Sequence, residues 1–166
     1  MSISFIRIDD RVLHGQTVTR WLGTKPCKGI LIVDNNIAND PFQVKIFKNA
    51  APTGIKVGIY DEKEGANRIA KAMQVENGYF LICKTPRTLV NLMRAGVDFG
   101  KTVNVGPMSA RANTITVSRN CSLTEDEVEA FAELDAAGIE IQFQLIPDNS
   151  AAAWKSIKAK IESKKG

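Results

Sequence analysis

Histidine is almost absent from this chain of 166 residues, which contains only one, His14. The three cysteines, Cys27, Cys83 and Cys121, are odd in number and widely spaced, which argues against a disulfide framework. Because no further histidine accompanies them, they are not typical of a zinc site either. We interpret them as reduced thiols and expect no metal site.

Long hydrophobic runs are also missing. No apolar stretch approaches the roughly 18 residues that a membrane span needs, and the N-terminus lacks the basic and apolar segments of a signal peptide. We therefore expect a cytoplasmic protein. With 44% hydrophobic residues, the chain is long enough to form its own core, so we expect one domain over residues 1–166.

Charge of one sign is concentrated only at the C-terminus. The formal net charge is +4, and five lysines and one glutamate between residues 155 and 165 account for all of it. A neutral body with a basic end is a poor match to a nucleic-acid groove, so we expect no nucleic-acid partner. We predict a basic C-terminal helix over about 148–164 with a solvated charged face. The alternative is docking of this end on an acidic partner or on anionic lipid head groups.

Familiar catalytic and nucleotide-binding motifs are absent from the sequence. There is no G-x-S-x-G elbow and no G-x-G-x-x-G fingerprint. Gly100-Lys101-Thr102 resembles the end of a P-loop, but the first glycine of that motif would fall at Ala95, and Lys101 leads into a predicted strand. ATP binding by that route is therefore excluded.

Short apolar segments alternate with segments that carry helix signals. The predicted strands are 2–8, 30–33, 55–60, 79–83, 102–105 and 139–146, with an extra short strand over 114–119. Asp40-Pro41 and Pro86 mark helix starts, and Ser122-Leu123-Thr124-Glu125 fits a capping box that opens a helix ending at Gly138. This alternation predicts an α/β fold, a mostly parallel sheet with helices on both faces.

In such a sheet, ligands gather at the carboxyl ends of the strands. The loop after the first predicted strand contains His14, and we expect it to be the active loop. Four cationic side chains also follow predicted strands, namely Arg11, Lys84, Arg87 and Arg111. We expect them to lie on the same rim as His14, where they would suit a phosphoryl group.

His14 is the candidate nucleophile. A free imidazole is mostly neutral near pH 7 and attacks phosphorus without a separate base. We expect Arg11 to hold the equatorial oxygens of the phosphoryl group. The amides of Gly15, Gln16 and Thr17, at the start of the following helix, are expected to supply further donors.

Further residues of the strand-end loops are candidates for supporting the phosphoryl group. We expect Asp9 or Asp10 to orient the imidazole or the arginine. The remaining candidates are Asp34, Lys84, Thr85 and Arg111. The competing interpretation of a lone histidine is a solvated turn or capping residue, and composition alone leaves that alternative open.

The stretch from Phe5 to Gln16, FIRIDDRVLHGQ, resembles a family signature. That signature, R-I-D-D-R-L-I-H-G-Q, is typical of the IIB component of the mannose/fructose/sorbose class of the bacterial phosphoenolpyruvate:sugar phosphotransferase system (PTS). Further segments are similar to the family in the same order, namely Val33-Asp34-Asn35, Asn39-Asp40, Ala50-Ala51-Pro52, Lys84-Thr85-Pro86, Asn104-Val105-Gly106 and Phe131 to Asp135. The departures, Val12-Leu13 for Leu-Ile and Thr17 for Val, affect packing rather than chemistry.

The resemblance implies a phosphocarrier. The family's histidine, matched by His14, takes a phosphoryl group on its Nδ1 atom from a phosphohistidine of the IIA component. It then passes the group to a sugar held by the membrane components IIC and IID. Arg11 matches the arginine of the family's active loop. The resemblance implies no cofactor beyond the phosphoryl group on His14, and a cytoplasmic protein that associates with the membrane through IIC and IID.

The resemblance does not identify the sugar, and it leaves open whether the chain forms a homodimer. Because a carrier docks two proteins in turn through one histidine, we expect a shallow rim rather than a deep pocket. One alternative is a regulatory module that binds an anion or a partner at this rim without modification of His14. The other is a sugar-phosphate enzyme, which would have an enclosed pocket.

Overall fold

The computed structural model describes residues 2–76 and 78–166. Within them, the strands are β1 (Ile3–Ile8), β2 (Gly29–Val33), β3 (Lys56–Tyr60), β4 (Tyr79–Cys83), β5 (Thr102–Val105), β6 (Thr114–Ser118), β7 (Cys121–Thr124), β8 (Glu140–Phe143) and β9 (Ala152–Ala153). The helices are α1 (Gly15–Leu22), α2 (Asn35–Ala38), α3 (Pro41–Asn49), α4 (Glu62–Ala72), α5 (Pro86–Arg94), α6 (Glu125–Ala136) and α7 (Trp154–Lys165).

Seven strands form one sheet in the order β3-β2-β4-β1-β5-β8-β9. Neighbouring strands are parallel except β9, which is antiparallel to β8. The predicted fold class, α/β with a mostly parallel sheet, is therefore confirmed. Since β1 lies between β4 and β5, the loop that follows it emerges near the middle of the sheet's carboxyl edge.

Alternate side chains of the central strands enter two cores, one on each face of the sheet. In β2, Leu31 and Val33 pack in the core beneath α4, α5, α6 and α7. Ile30 and Ile32 point the other way, into the core beneath α1 and α3. Every residue of β2 is buried, which explains why its sequence is continuously apolar rather than alternating.

A separate antiparallel hairpin of β6 and β7 follows the fifth strand of the chain. The extra strand predicted over 114–119 is β6, and its partner β7 was not predicted. The hairpin is attached to the segment after β5 by two backbone hydrogen bonds. The Met108 N–H donates to the Asn120 carbonyl at 2.9 Å, and the Ser122 N–H donates to the Met108 carbonyl at 2.8 Å.

The capping box of α6 lies two residues beyond its predicted position. The hydroxyl of Thr124 accepts from the Glu127 N–H at 3.2 Å, and the Glu127 carboxylate accepts from the Thr124 N–H at 2.9 Å. The prediction that Ser122 caps this helix was wrong, because Ser122 is buried in β7. Its hydroxyl lies 2.9 Å from that of Thr116 on β6.

The basic C-terminal helix is α7, and it begins later than the predicted start near residue 148. Ala152 and Ala153 first pair with β8, so the helix begins at Trp154. Its apolar side, formed by Trp154, Ile157 and Ile161, packs into the larger core. Among residues 2–76 and 78–166, no helix is both long enough and apolar enough to span a membrane.

Replacing Thr124 by alanine is expected to lower the free energy of unfolding by about 1 kcal/mol, because the first turn of α6 loses its cap. Urea denaturation of both proteins measures the difference. The control is Ser156→Ala on the exposed side of α7, where a change within about 0.5 kcal/mol is expected. Equal stability of Thr124→Ala and the wild type would contradict a stabilising role of the box.

Candidate functional site

The loop between β1 and α1, residues 9–14, is hydrogen-bonded to both neighbouring strands. The Asp9 N–H donates to the carbonyl of Cys83, the last residue of β4, at 3.0 Å. The Asp10 N–H donates to the carbonyl of Pro107, beyond β5, at 3.1 Å. We call this segment the phosphoryl loop, after the group that the sequence predicts it to bind. These backbone hydrogen bonds alone fix the loop on both sides.

The middle of the phosphoryl loop is held by apolar burial. Val12 and Leu13 are buried in the core beneath α1, whereas Arg11 and His14 are exposed. Val12 has a φ of 62°, a left-handed conformation that strains a β-branched residue. Its N–H donates to the Asp9 carbonyl at 3.0 Å. Burial of Val12 thus holds a strained turn that leaves Arg11 and His14 at the surface.

Asp9 supports the loop from beneath. One of its oxygens accepts from Arg7 Nε at 3.1 Å, and the other accepts from the Arg11 N–H at 2.9 Å. Asp9 and Arg7 are each only 2% exposed. Burial raises the pKa of Asp9, which Arg7 opposes, and burial also lowers the pKa of Arg7. Each charge therefore depends on the other for compensation.

Arg7 connects three strand ends. Its Nη1 donates to the Asn104 side chain on β5 and to the Gln144 carbonyl at 3.3 Å, and its Nη2 donates to the Leu145 carbonyl at 3.1 Å. Gly106 lies against the guanidinium so closely that a Cβ there would overlap it. The segments after β5 and β8 are thus positioned around one buried side chain.

Asp10 fixes the other side of the loop. Its Oδ2 accepts from the Ser109 N–H at 2.6 Å, whereas its Oδ1 is buried and has no hydrogen-bond partner among the described residues. Within the described chain, neither Asp9 nor Asp10 bonds the His14 side chain. The sequence predicted that Asp9 or Asp10 orients the imidazole or the arginine, and the bond from the Arg11 N–H places Asp9 in the second of these roles, through the backbone.

His14 is the N-cap residue of α1, with extended backbone angles of φ −122° and ψ 119°. Its side chain makes no capping hydrogen bond in the described structure, so the N–H groups of the first turn have no side-chain cap. Gly15 and Gln16 are exposed and Thr17 is half-buried. A helix start with exposed N–H groups attracts an anion, and this one lies directly beside the imidazole.

Two of the predicted rim cations are neutralised by α6. Arg87 donates to the carboxylate of Asp126 at 2.9 and 3.3 Å. Arg111 donates to the buried carboxylate of Glu127, and its Nη1 donates to the Ser109 carbonyl at 2.9 Å. The cationic rim is therefore smaller than the sequence predicted, because both guanidinium groups pair with carboxylates of α6.

The other predicted residues divide between exposed and structural positions. Arg11 and Lys84 are exposed, and their side chains have no ion-pair partner among the described residues. Thr85 is half-buried at the start of α5. Asp34 is buried and caps α2 by accepting from the Ile37 N–H at 2.9 Å. The structure therefore gives Asp34 a capping role.

The surface beside His14 is open. A shallow concavity of about 530 Å³ is bounded by residues of α1 and of the segment after α3, namely Gly15, Gln16, Thr19, Arg20, Ala50 and Pro52. Phe42, which is 72% exposed, and Ile46 lie on α3. No group of three or more His, Cys, Asp or Glu side chains that would hold a metal occurs among the described residues.

The cysteines are all free thiols, as the sequence predicted. Burial raises the pKa of Cys121 to about 12, and it also raises those of Cys83 and Cys27. A protonated thiol is a poor nucleophile near neutral pH. No cysteine therefore competes with His14 as the candidate nucleophile of the site.

Sequence reasoning missed the residues that support the loop from below. Arg7, Asn104 and Gln144 were not proposed as site residues, although they fix the positions of the strand ends. The available signal was a single arginine inside the apolar segment Ile3–Ile8. A charge in a strand that is buried on both faces requires a partner, and Asp9 is the nearest carboxylate in the sequence.

Comparison with known proteins extends these observations over almost the whole chain. The family described as "PTS system sorbose subfamily IIB component" matches residues 3–166. The sorbose-specific EIIB component of Lacticaseibacillus casei is 31% identical over 169 residues, with 98% of this chain and 96% of that protein covered.

Two further relatives cover nearly the full chain. The mannose-specific EIIAB component of Escherichia coli (strain K12) is 29% identical, and the match spans 98% of this chain but 50% of that protein. The crystal structure of the IIBSor domain of the sorbose permease from Klebsiella pneumoniae has a TM-score of 0.88, 26% identity and 98% of each chain covered. This chain therefore belongs to the sorbose-subfamily IIB components of the sugar phosphotransferase system.

Proposed function

We propose that this chain is a cytoplasmic phosphocarrier in which His14 accepts a phosphoryl group from a phosphohistidine of a IIA component and passes it to a sugar. One observation carries the proposal. An exposed histidine stands at the uncapped start of α1, and an exposed arginine without an ion-pair partner in the described structure precedes it by three residues in the same loop. An anion formed on the imidazole would therefore have the N–H groups of a helix start and a positive charge within the same segment.

The first transfer exchanges one nitrogen–phosphorus bond for another. The Nδ1 lone pair of His14 attacks phosphorus, a new bond forms, and the bond to the donor imidazole breaks with its electron pair returning to the donor. In the second transfer a sugar hydroxyl oxygen attacks the phosphorus, and the bond to Nδ1 breaks. The hydroxyl proton goes to the departing imidazole. Neither step needs a base other than imidazole itself.

Arg11 and the first turn of α1 supply the electrostatic stabilisation. Charge in a phosphoryl transition state lies on three equatorial oxygens, so donors must be fixed around it before reaction. The guanidinium of Arg11 is one such donor, and the N–H groups of Gly15, Gln16 and Thr17 are others. Asp9 and Asp10 act indirectly, because they hold the backbone that carries Arg11 and His14.

The open surroundings of His14 support docking of other proteins more than enclosure of a small substrate. The imidazole is exposed, and Phe42 and Ile46 form an exposed apolar pair on α3, on the same face of the sheet as α1. Exposed apolar side chains of this kind are typical of interaction surfaces. A sugar-phosphate enzyme would be expected to enclose its nucleophile.

The names of the relatives support the choice of partners. The E. coli relative is described as an EIIAB component, a name that includes both an A and a B part. We propose a IIA protein as the donor and membrane components IIC and IID, with bound sugar, as the acceptor. The relatives are named for sorbose and mannose, which supports a monosaccharide as the acceptor.

Replacing His14 by alanine is expected to abolish phosphorylation, because the accepting nitrogen is removed. The measurement is incorporation of acid-labile phosphate from phosphoenolpyruvate through the general phosphotransfer proteins and a cognate IIA component. Circular dichroism checks that the variant keeps its fold. Labelling of His14→Ala at the wild-type rate would contradict the proposal, and no label on wild type with an active IIA would favour a regulatory binding module.

Replacing Arg11 by alanine is expected to slow transfer by about 100-fold, the effect of losing one donor to the developing charge. The acceptor nitrogen remains, so the final extent of labelling should approach that of the wild type. Rapid-quench kinetics separates rate from extent. Arg68→Ala, on α4 at the opposite face of the sheet, is the control and should react at the wild-type rate. An unchanged rate for Arg11→Ala would remove this residue from the mechanism.

Replacing Gly106 by alanine is expected to lower the free energy of unfolding by about 1–3 kcal/mol, because the added Cβ displaces the Arg7 guanidinium. Phosphorylation of His14 should slow as well, since Arg7 holds Asp9. Gly23→Ala is the matched control. Gly23 has a φ of −70°, and a Cβ there meets only an ordinary contact at 3.4 Å. Equal behaviour of the two variants would show that the packing around Arg7 is not critical.

A further inference from the structure

A second concavity, of about 350 Å³, opens at the carboxyl ends of β5 and β8. We call it the β5–β8 cleft. Its apolar floor is formed by Val105, Phe143 and Ile157. Its polar residues come from the hairpin, from the segment after β8 and from α7, and they include Ser118, Arg119, Asn120, Asn149, Ser150 and Lys160.

The charge of the cleft is entirely positive. Arg119 and Lys160 line it, and no aspartate or glutamate does so among the described residues. Six of the eight arginines form ion pairs with carboxylates. Within residues 2–76 and 78–166, the two without such a partner are Arg11, in the phosphoryl loop, and Arg119. The cleft therefore has an unneutralised guanidinium, as the phosphoryl loop does.

The cleft is distinct from the phosphoryl loop but adjoins it. His14 and Arg11 do not line it. Gly106 forms part of its wall, and the next residue, Pro107, accepts the Asp10 N–H at 3.1 Å. Gln144 and Leu145 also line the cleft, and their carbonyls accept hydrogen bonds from Arg7 at 3.3 and 3.1 Å. A molecule in the cleft would thus contact the same segments that position the loop.

We propose that the β5–β8 cleft is a binding site for a phosphorylated monosaccharide. Arg119 and Lys160 provide the charge that a phosphate dianion requires, and the arginine binds it through paired N–H groups. Amide and hydroxyl side chains such as Asn120, Asn149 and Ser150 suit the sugar hydroxyls, and the apolar floor suits the C–H face of the ring. The choice of a sugar rests on the proposed function, whose product is a sugar phosphate.

Calorimetric titration of the unphosphorylated full chain tests this proposal. The probes are glucose 6-phosphate and fructose 1-phosphate, with glucose, fructose and inorganic phosphate for comparison. We expect saturable binding of at least one sugar phosphate and at least about tenfold weaker binding to Arg119→Gln and Lys160→Gln, since each loses a charged donor. Lys155→Gln, on the exposed side of α7, is the matched control and should bind as the wild type does.

Three results would overturn the proposal. They are no saturable binding of either sugar phosphate, equal affinity for inorganic phosphate, and binding that survives Arg119→Gln and Lys160→Gln but is lost in Arg11→Ala. The last result would assign the phosphate to the phosphoryl loop. Because the titration uses no IIA protein, it is independent of the labelling of His14. Binding of a sugar phosphate without labelling of His14 would support the cleft as a binding site and contradict the phosphocarrier proposal. Labelling of His14 without binding of a sugar phosphate would support the phosphocarrier and contradict the binding site.

Discussion

The buried ion pair of Arg7 and Asp9 is the interaction on which the phosphoryl loop depends. Removing two charges from water is costly, and their mutual attraction compensates only when the remaining donors and acceptors are also satisfied. Here the guanidinium bonds Asn104 and two carbonyls beyond β8, while Asp9 also accepts the Arg11 N–H. Such a pair gives little net stability, so we attribute to it the relative placement of three strand ends.

The loop above this pair combines polar and apolar anchoring. Asp9 and Asp10 fix its two sides, and burial of Val12 holds the turn in a left-handed conformation that isolated valine disfavours. As a result, Arg11 and His14 reach solvent, whereas Val12 and Leu13 between them are buried. Under the proposed function, a histidine held on such a fixed backbone needs little rearrangement when a phosphoryl donor docks.

Local sequence patterns predicted the mostly parallel sheet, the starts of α1, α3 and α5 and the loop that contains His14, since each of these depends on neighbouring residues. The capping box shows the limit of such patterns. Ser122 and Thr124 both precede a glutamate by three residues, and only the pairing of β7 with β6 selects Thr124. The partners of Arg87 and Arg111 lie on α6, far along the chain, so strand-end position alone did not reveal their neutralisation. The chemistry of His14 remains a prediction.

The missing side-chain cap of α1 has an energetic consequence. Most helices begin with a residue whose oxygen accepts an N–H of the first turn, and its absence costs about 1 kcal/mol. A phosphoryl group on His14 would place oxygens where that cap is missing. Phosphorylation of His14 would then cap the first turn of α1, and loss of the phosphoryl group would remove that cap. Phosphorylation of one imidazole would thereby raise the melting temperature of the whole domain.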